Sequence, residues 1–89
     1  MIKEQEIAAM VKGDGCLGRS ADDEPVFILV ARDVFASGIV REWADRVESR
    51  AKSLGELTGQ RQAKIADARK LALMMDTWRD AHQGGKLPD

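Results

Sequence analysis

The residues that could carry out chemistry are few and lie far apart in the sequence. Cys16 is the only cysteine and His82 the only histidine. A nucleophilic cysteine needs a base and a group that orients the base, and these two residues lie near opposite ends of the chain. A zinc site needs further His or Cys ligands. We therefore expect no catalytic residue, no metal ligand and no enzymatic activity.

A glycine-rich stretch, GDGCLG at residues 13–18, matches the G-x-G-x-x-G pattern of a phosphate-binding loop. In such loops the glycines let backbone N–H groups approach a phosphate, and the loop follows a strand within a βαβ unit. No strand is predicted before this stretch, and the chain is too short for a βαβ unit to follow. We therefore predict a helix stop and a flexible loop over residues 13–20, with no bound cofactor.

Charged residues offer a second possible chemistry. Asp76 and Asp80 lie one helical turn apart, a spacing that paired acid–base carboxylates could use. Arg69 and Arg79 lie near them, which favours a solvated helix face of mixed charge. Fourteen basic residues nearly balance fifteen acidic ones, for a net charge of −1. This balance excludes a strong overall field for nucleic acid or an anionic membrane.

Length and composition indicate one domain over residues 1–89. The hydrophobic fraction of 44% suits a folded chain with one modest core. The longest apolar run, at 26–31, is too short to span a membrane, and the first ten residues lack the apolar stretch of a secretory signal. A single cysteine allows no intrachain disulfide, so we expect a cytoplasmic protein. Residues 84–89 are predicted to form a polar tail.

The predicted fold class is all-α, a small helical bundle built on an antiparallel helix hairpin. Hydrophobic periodicity predicts long helices at about 34–54 and 60–82, and the short connection between them places them side by side. Their apolar faces match around Trp43 and Trp78, which are predicted to form most of the core. The predicted contacts pair Leu54 with Ile65, Val47 with Leu71 or Ala72, Trp43 with Met75, and Ile39 with Trp78.

Two shorter segments precede the hairpin. Residues 3–12 are predicted to form a short helix that a glycine ends. Residues 24–33 have the composition of a strand, but no second β-rich run is present to pair with them, and Pro25 suits a first helical turn. We favour a short, buried helix that covers the hairpin together with the first helix. The alternative is a short strand at 26–31 that pairs with another molecule.

One large apolar side chain falls outside the predicted core. Leu73 lies on the polar face of the second long helix, between Arg69 and Asp76, and Met74 lies beside it at the edge of the core. An exposed apolar side chain in a chain with little spare core favours contact with another protein. We therefore predict that these four residues contact a protein partner or a second copy of the chain.

The block ADDEPVFILVARDVFASGIVREWADRVE, at 21–48, resembles small uncharacterised proteins encoded by phages and prophages of proteobacteria. The resemblance is carried by the D-E-P-V-F start, the Asp33-x-x-Ala36 and Val40-x-x-Trp43-Ala44 spacings, the run at 64–69 and the GGKLPD end. It implies an accessory protein, made inside a bacterial host cell, that binds a host or phage protein or itself. It implies no activity and no site residues. A small nucleic-acid-binding regulator is the alternative function.

Overall fold

The computed structural model describes residues 2–82, 84 and 87. Within these residues the chain forms four helices and no extended strand: α1 (Lys3–Val11), α2 (Gly15–Arg19), α3 (Ala36–Leu54) and α4 (Gly59–Ala81). Helix α1 packs against α2, and α3 packs against α4. No helix in this part of the chain combines the length and apolar character needed to cross a membrane. The predicted all-α class and long helix pair are confirmed.

Local hydrogen bonds fix the turn between α3 and α4. Gly55 ends α3 with a φ of 68°, a left-handed conformation that glycine adopts without strain. The N–H of Glu56 donates to the Ala51 carbonyl oxygen at 2.8 Å, as in a Schellman motif. Thr58 begins α4, because its Oγ1 accepts a hydrogen bond from the Arg61 N–H at 3.1 Å. The turn lies where the sequence predicts it.

Ion pairs between α3 and α4 define how the two helices run. Arg69 contacts Asp45 at 2.8 Å and Glu48 at 3.2 Å. Arg41, nearer the start of α3, pairs with Asp76, nearer the end of α4. Residues early in α3 therefore lie beside residues late in α4, which confirms the antiparallel hairpin.

The core between the two helices is small and consists mainly of alanine. Ile65 is 2% exposed and is the one large, fully buried side chain among the described residues. The other buried apolar residues are Ala36, Ala44, Ala51, Ala72 and Met75. Because the distance between packed helices depends on the side chains at the contact, alanines allow these two backbones to approach closely.

The prediction that Trp43 and Trp78 form the centre of the core is wrong. Trp43 is 51% exposed and Trp78 is 45% exposed. Ile39 and Leu54, which were also predicted to be core residues, are about half exposed. Among the described residues each helix of the hairpin packs against one other helix, which covers a stripe narrower than the apolar half of the helix. Alanines occupy that stripe, and the larger side chains lie at its edge.

Helices α1 and α2 do not cover the hairpin. Among the residues that the structure describes, none in α1 or α2 lies close to α3 or α4, and neither short helix has a buried residue. The radius of gyration is 14.4 Å, larger than the roughly 12 Å of a compact chain of this length. The predicted covering of the hairpin by the N-terminal segments is therefore wrong.

The buried helix predicted over residues 24–33 is not formed. The chain is irregular over 24–30, and Val26, Phe27 and Ile28 are all more than half exposed. A helix of about ten residues is marginal in water unless a partner buries its apolar side chains, and here the side chains of 26–28 stay exposed. The alternative strand needs a second molecule and stays a prediction.

The polar tail predicted at 84–89 lies mostly outside the described residues. Of these six residues the structure describes only Gly84 and Leu87. The N–H of Gly84 donates to the Arg79 carbonyl oxygen at 2.9 Å. This bond satisfies one of the free carbonyl groups at the end of α4.

Candidate functional site

The hairpin has two edges of opposite character. The ion-paired edge consists of Arg41, Asp45 and Glu48 on α3 with Arg69 and Asp76 on α4. Residues three and four apart share one side of a helix, so the α3 members line up along one side of the core stripe. The other side carries the apolar edge, which consists of Ile39 and Trp43 on α3 with Trp78 on α4; further along the same side of α3, Arg46 and Arg50 separate Trp43 from Leu54.

The ion-paired edge favours the ionised form of two carboxylates, Asp76 and Glu48. Asp76 accepts hydrogen bonds from Arg41 and from Arg79, the latter at 2.8 Å. The Ser37 hydroxyl and then the Arg41 guanidinium lower the pKa of Asp76 from 3.8 to about 2. Hydrogen bonding to Arg69 likewise lowers the pKa of Glu48. A carboxylate with so low a pKa is a poor proton donor or acceptor near neutral pH, so this edge is suited to holding the helices together.

The stability of the hairpin is expected to fall in acid because of Asp76. The pKa of this carboxyl is lower in the folded chain than its ordinary value of 3.8. The ionised Asp76 carboxylate therefore stabilises the folded chain fully at pH values above 3.8, and this stabilisation is lost as the pH falls towards about 2. In Asp76→Asn, thermal unfolding followed by circular dichroism should depend less on pH in this window. Asp80→Asn is the matched control, because Asp80 pairs with no described residue, and it should keep the wild-type acid dependence.

The four residues predicted to contact a partner occupy two environments. Arg69 and Asp76 belong to the ion-paired edge, where they contact α3. Leu73 is 61% exposed, and Met74 is also exposed. Leu73 follows Arg69 by four residues and borders the ion-paired edge, whereas Met74 lies about 100° further around α4. The structure therefore leaves Leu73 and Met74 accessible, while the guanidinium and the carboxylate are engaged within the chain.

The two lone reactive residues are not brought together. Cys16 is exposed on α2, which does not approach α4. His82 stacks on Trp78, with ring centroids 3.8 Å apart and planes inclined by 11°, and its Nδ1 lies 2.7 Å from the Trp78 carbonyl oxygen. Within the described residues, no cluster of three or more His, Cys, Asp or Glu side chains could hold a metal ion.

The glycine-rich stretch at 13–18 contains a helix where a loop was predicted. Gly13 ends α1 with a φ of 76°, and α2 occupies Gly15–Arg19. Gly18 packs directly on this turn, because a Cβ added there would lie 2.7 Å from the Gly13 carbonyl carbon. The first glycine therefore ends α1, and the last allows α2 to pack against that end.

Replacing Gly18 with alanine is expected to separate α2 from α1. The added Cβ would meet the backbone of Gly13, and overpacking of this kind costs about 1–3 kcal/mol. The amide hydrogens of 3–19 should then exchange with solvent much faster than in the wild type. The hairpin should unfold at the wild-type temperature, because neither short helix contacts it. Unchanged exchange over 3–19 would contradict the close packing at Gly18.

A groove that is not predicted from the sequence lies on the hairpin near its turn. The groove has a volume of about 340 Å³. It is lined by Arg46, Val47, Arg50, Ala51 and Leu54 of α3, Glu56 of the turn and Arg61 of α4. We call it the arginine groove. The spacing of Arg46 and Arg50 beside Val47 and Leu54 is visible in the sequence, but the side chain that closes the groove comes from the next helix.

Comparison of this chain with known protein families, with curated proteins and with solved structures finds no match.

Proposed function

We propose that this chain is a non-enzymatic protein-interaction module that binds a protein partner or a second copy of itself. The supporting observation is the contrast between its buried and its exposed side chains. The core is mainly alanine, while Trp43, Trp78 and Phe27 are exposed. Tryptophan is enriched among the residues that dominate binding energy at protein interfaces, and clustered apolar exposure marks interaction sites.

The setting that we propose is the cytoplasm of a bacterial host cell, where the chain acts as a phage or prophage accessory protein. The resemblance of residues 21–48 to phage-encoded proteins supports this setting. The partner would then be a host or phage protein. The apolar edge of the hairpin would supply the main contact, with Leu73 and Met74 as a second, smaller surface.

A capture experiment with matched variants tests the proposal. The immobilised chain is exposed to bacterial lysate, and the retained proteins are identified by mass spectrometry. We expect Trp43→Ala/Trp78→Ala to lose a specific partner, and Leu73→Ala/Met74→Ala to reduce its retention to a lesser extent. Light scattering on the purified chain measures self-association in parallel. A monomer that retains the same proteins with and without its tryptophans would contradict the proposal.

The alternative of a nucleic-acid-binding regulator is disfavoured because arginines along the hairpin already form ion pairs with carboxylates. Three arginines pair with carboxylates along the hairpin, Arg41 and Arg79 with Asp76, and Arg69 with Asp45 and Glu48. Binding to phosphates would have to compete with these pairs, whereas nucleic-acid-binding proteins use clustered, available cations. We expect no mobility shift of DNA or RNA at low salt. A shift that weakens steeply as salt is added would support the alternative.

A further inference from the structure

The arginine groove combines an apolar floor with a positively charged rim. Three of its lining residues are apolar, Val47, Ala51 and Leu54, and we call them the floor. The other four are charged, three arginines and one glutamate, and we call them the rim. An occupant that suits this groove would carry apolar side chains for the floor and carboxylates for the rim. Complementary charge of this kind fixes the orientation of a bound segment and excludes wrong partners.

Two of the three rim arginines, Arg46 and Arg50, are weakly engaged within the chain. Arg46 contacts Glu42 at 2.8 Å, but both side chains are largely exposed. Arg61 is held more firmly, because it donates to the Glu56 carbonyl oxygen at 2.6 Å in addition to lying 3.9 Å from the Glu56 carboxylate. Arg50 forms no ion pair with any residue that the structure describes. Because exposed pairs of this kind contribute little to stability, the rim can exchange them for carboxylates of an incoming segment.

The chain itself contains a segment of matching chemistry. Residues 22–28 read DDEPVFI, and we call them the acidic arm. Asp22 and Asp23 form no ion pair with a described residue, and Phe27 is 85% exposed. The arm is irregular, and its proline favours an extended backbone in the residue before it. Three carboxylates are thus followed, after Pro25, by three exposed apolar side chains.

We propose that two copies of the chain associate by docking the acidic arm of each into the arginine groove of the other. This inference rests on the proposed function and names the partner as a second copy. Phe27 would enter the apolar floor, and Asp22 and Asp23 would pair with Arg46 and Arg50. A reciprocal exchange related by a two-fold axis satisfies both arms and both grooves, so the assembly closes as a dimer.

The geometry of one chain favours docking between copies over docking within a copy. The Asp33 N–H donates to the Val30 carbonyl oxygen at 3.0 Å, and the Ala36 N–H donates to the Asp33 carbonyl oxygen at 3.1 Å. These turns hold the end of the arm near the start of α3. The groove lies further along the helix, with Arg50 about 21 Å from Ala36 at the helical rise of ~1.5 Å per residue. Phe27 lies three residues before Val30 and can extend only about 10 Å from these turns, whereas Val47, the floor residue nearest the start of α3, lies about 17 Å along the helix from Ala36.

Charge reversal in separate molecules tests the proposal directly. The arm variant is Asp22→Arg/Asp23→Arg, and the groove variant is Arg46→Glu/Arg50→Glu. The proposed dimer has two contacts, which we call junctions, each between the arm of one copy and the groove of the other. Each variant alone places like charges at both junctions and should dimerise at least about tenfold more weakly than the wild type. An equimolar mixture restores opposite charges at both junctions, and light scattering should show the dimer again. Lys52→Glu/Lys70→Glu reverses two exposed charges outside the groove and should leave the dimer intact.

The apolar anchor provides an independent measurement. Phe27→Ser removes a side chain that is exposed in the single chain, so at concentrations where the wild type is monomeric both should unfold at the same temperature. Because two phenylalanines leave water in the proposed dimer, dimerisation should weaken by about a hundredfold.

Three results would overturn the inference. These are a wild type that stays monomeric at high concentration, a dimer that is indifferent to Phe27→Ser, and a mixture of charge variants that stays monomeric. The proposed function would survive each of these results if the tryptophan variants still lost a captured partner. It would fail only if that capture failed as well.

Discussion

Replacing Ile65 with alanine should lower the free energy of unfolding by about 2–5 kcal/mol, as is usual when a buried isoleucine is truncated. Small domains are stable by only about 5–15 kcal/mol, so a large part of the stability should disappear. The effect is expected to be large because Ile65 is the one large, fully buried side chain among the described residues. Urea denaturation followed by far-UV circular dichroism measures the change.

Leu73→Ala is the matched control for this experiment, because it truncates a similar side chain on the same helix. Leu73 is exposed, and substitutions of exposed residues usually change stability by less than about 0.5 kcal/mol. Equal losses in the two variants would mean that the α4 face carrying Leu73 is buried in solution. That outcome would indicate self-association through Leu73, which light scattering would detect.

Replacing Ala72 with leucine should destabilise the hairpin by about 1–3 kcal/mol through overpacking. Ala72 is fully buried and lies in the stripe where α4 faces α3. A leucine there would push the two backbones apart and weaken the contacts of Arg69 with Asp45 and Glu48. Denaturation measurements should show a lower midpoint for unfolding.

Ala66→Leu provides the comparison for this prediction. Ala66 is exposed on the same helix, so a leucine there has room, and alanine and leucine differ little in helix propensity. Its midpoint should remain close to that of the wild type. If Ala72→Leu proved as stable as Ala66→Leu, the close approach of α3 and α4 at this alanine would be wrong.

The hairpin could be predicted from the sequence because its determinants are local. Periodicity defined both helices, and the short turn at 55–59 placed them antiparallel. The same periodicity could not tell which apolar residues face the neighbouring helix. Trp43 and Ala44 both lie on the apolar half of α3, but with only one neighbouring helix only the central stripe is buried. The alanine lies in that stripe, and the tryptophan lies at its edge.

The N-terminal segments were predicted less well because their structure depends on contacts that the sequence does not display. Residues 24–33 are apolar enough to be buried, yet Val26, Phe27 and Ile28 are more than half exposed. The helix α2 forms in a glycine-rich stretch because Gly18 can pack on the backbone of Gly13. Of the candidate site, the exposure of Leu73 followed from periodicity, whereas the arginine groove required the position of the next helix.

The order of the segments along the chain has a consequence for synthesis in the cell. The apolar residues of the arm leave the ribosome before α3 and α4, and the hairpin cannot form until α4 follows. The hairpin's own contacts are local, so it should then fold quickly. Until the hairpin forms, no arginine groove exists to receive the arm, so its apolar residues stay exposed on neighbouring nascent chains. The carboxylates at 22–24, which precede this apolar stretch, should oppose aggregation of the nascent chains because their like charges repel one another.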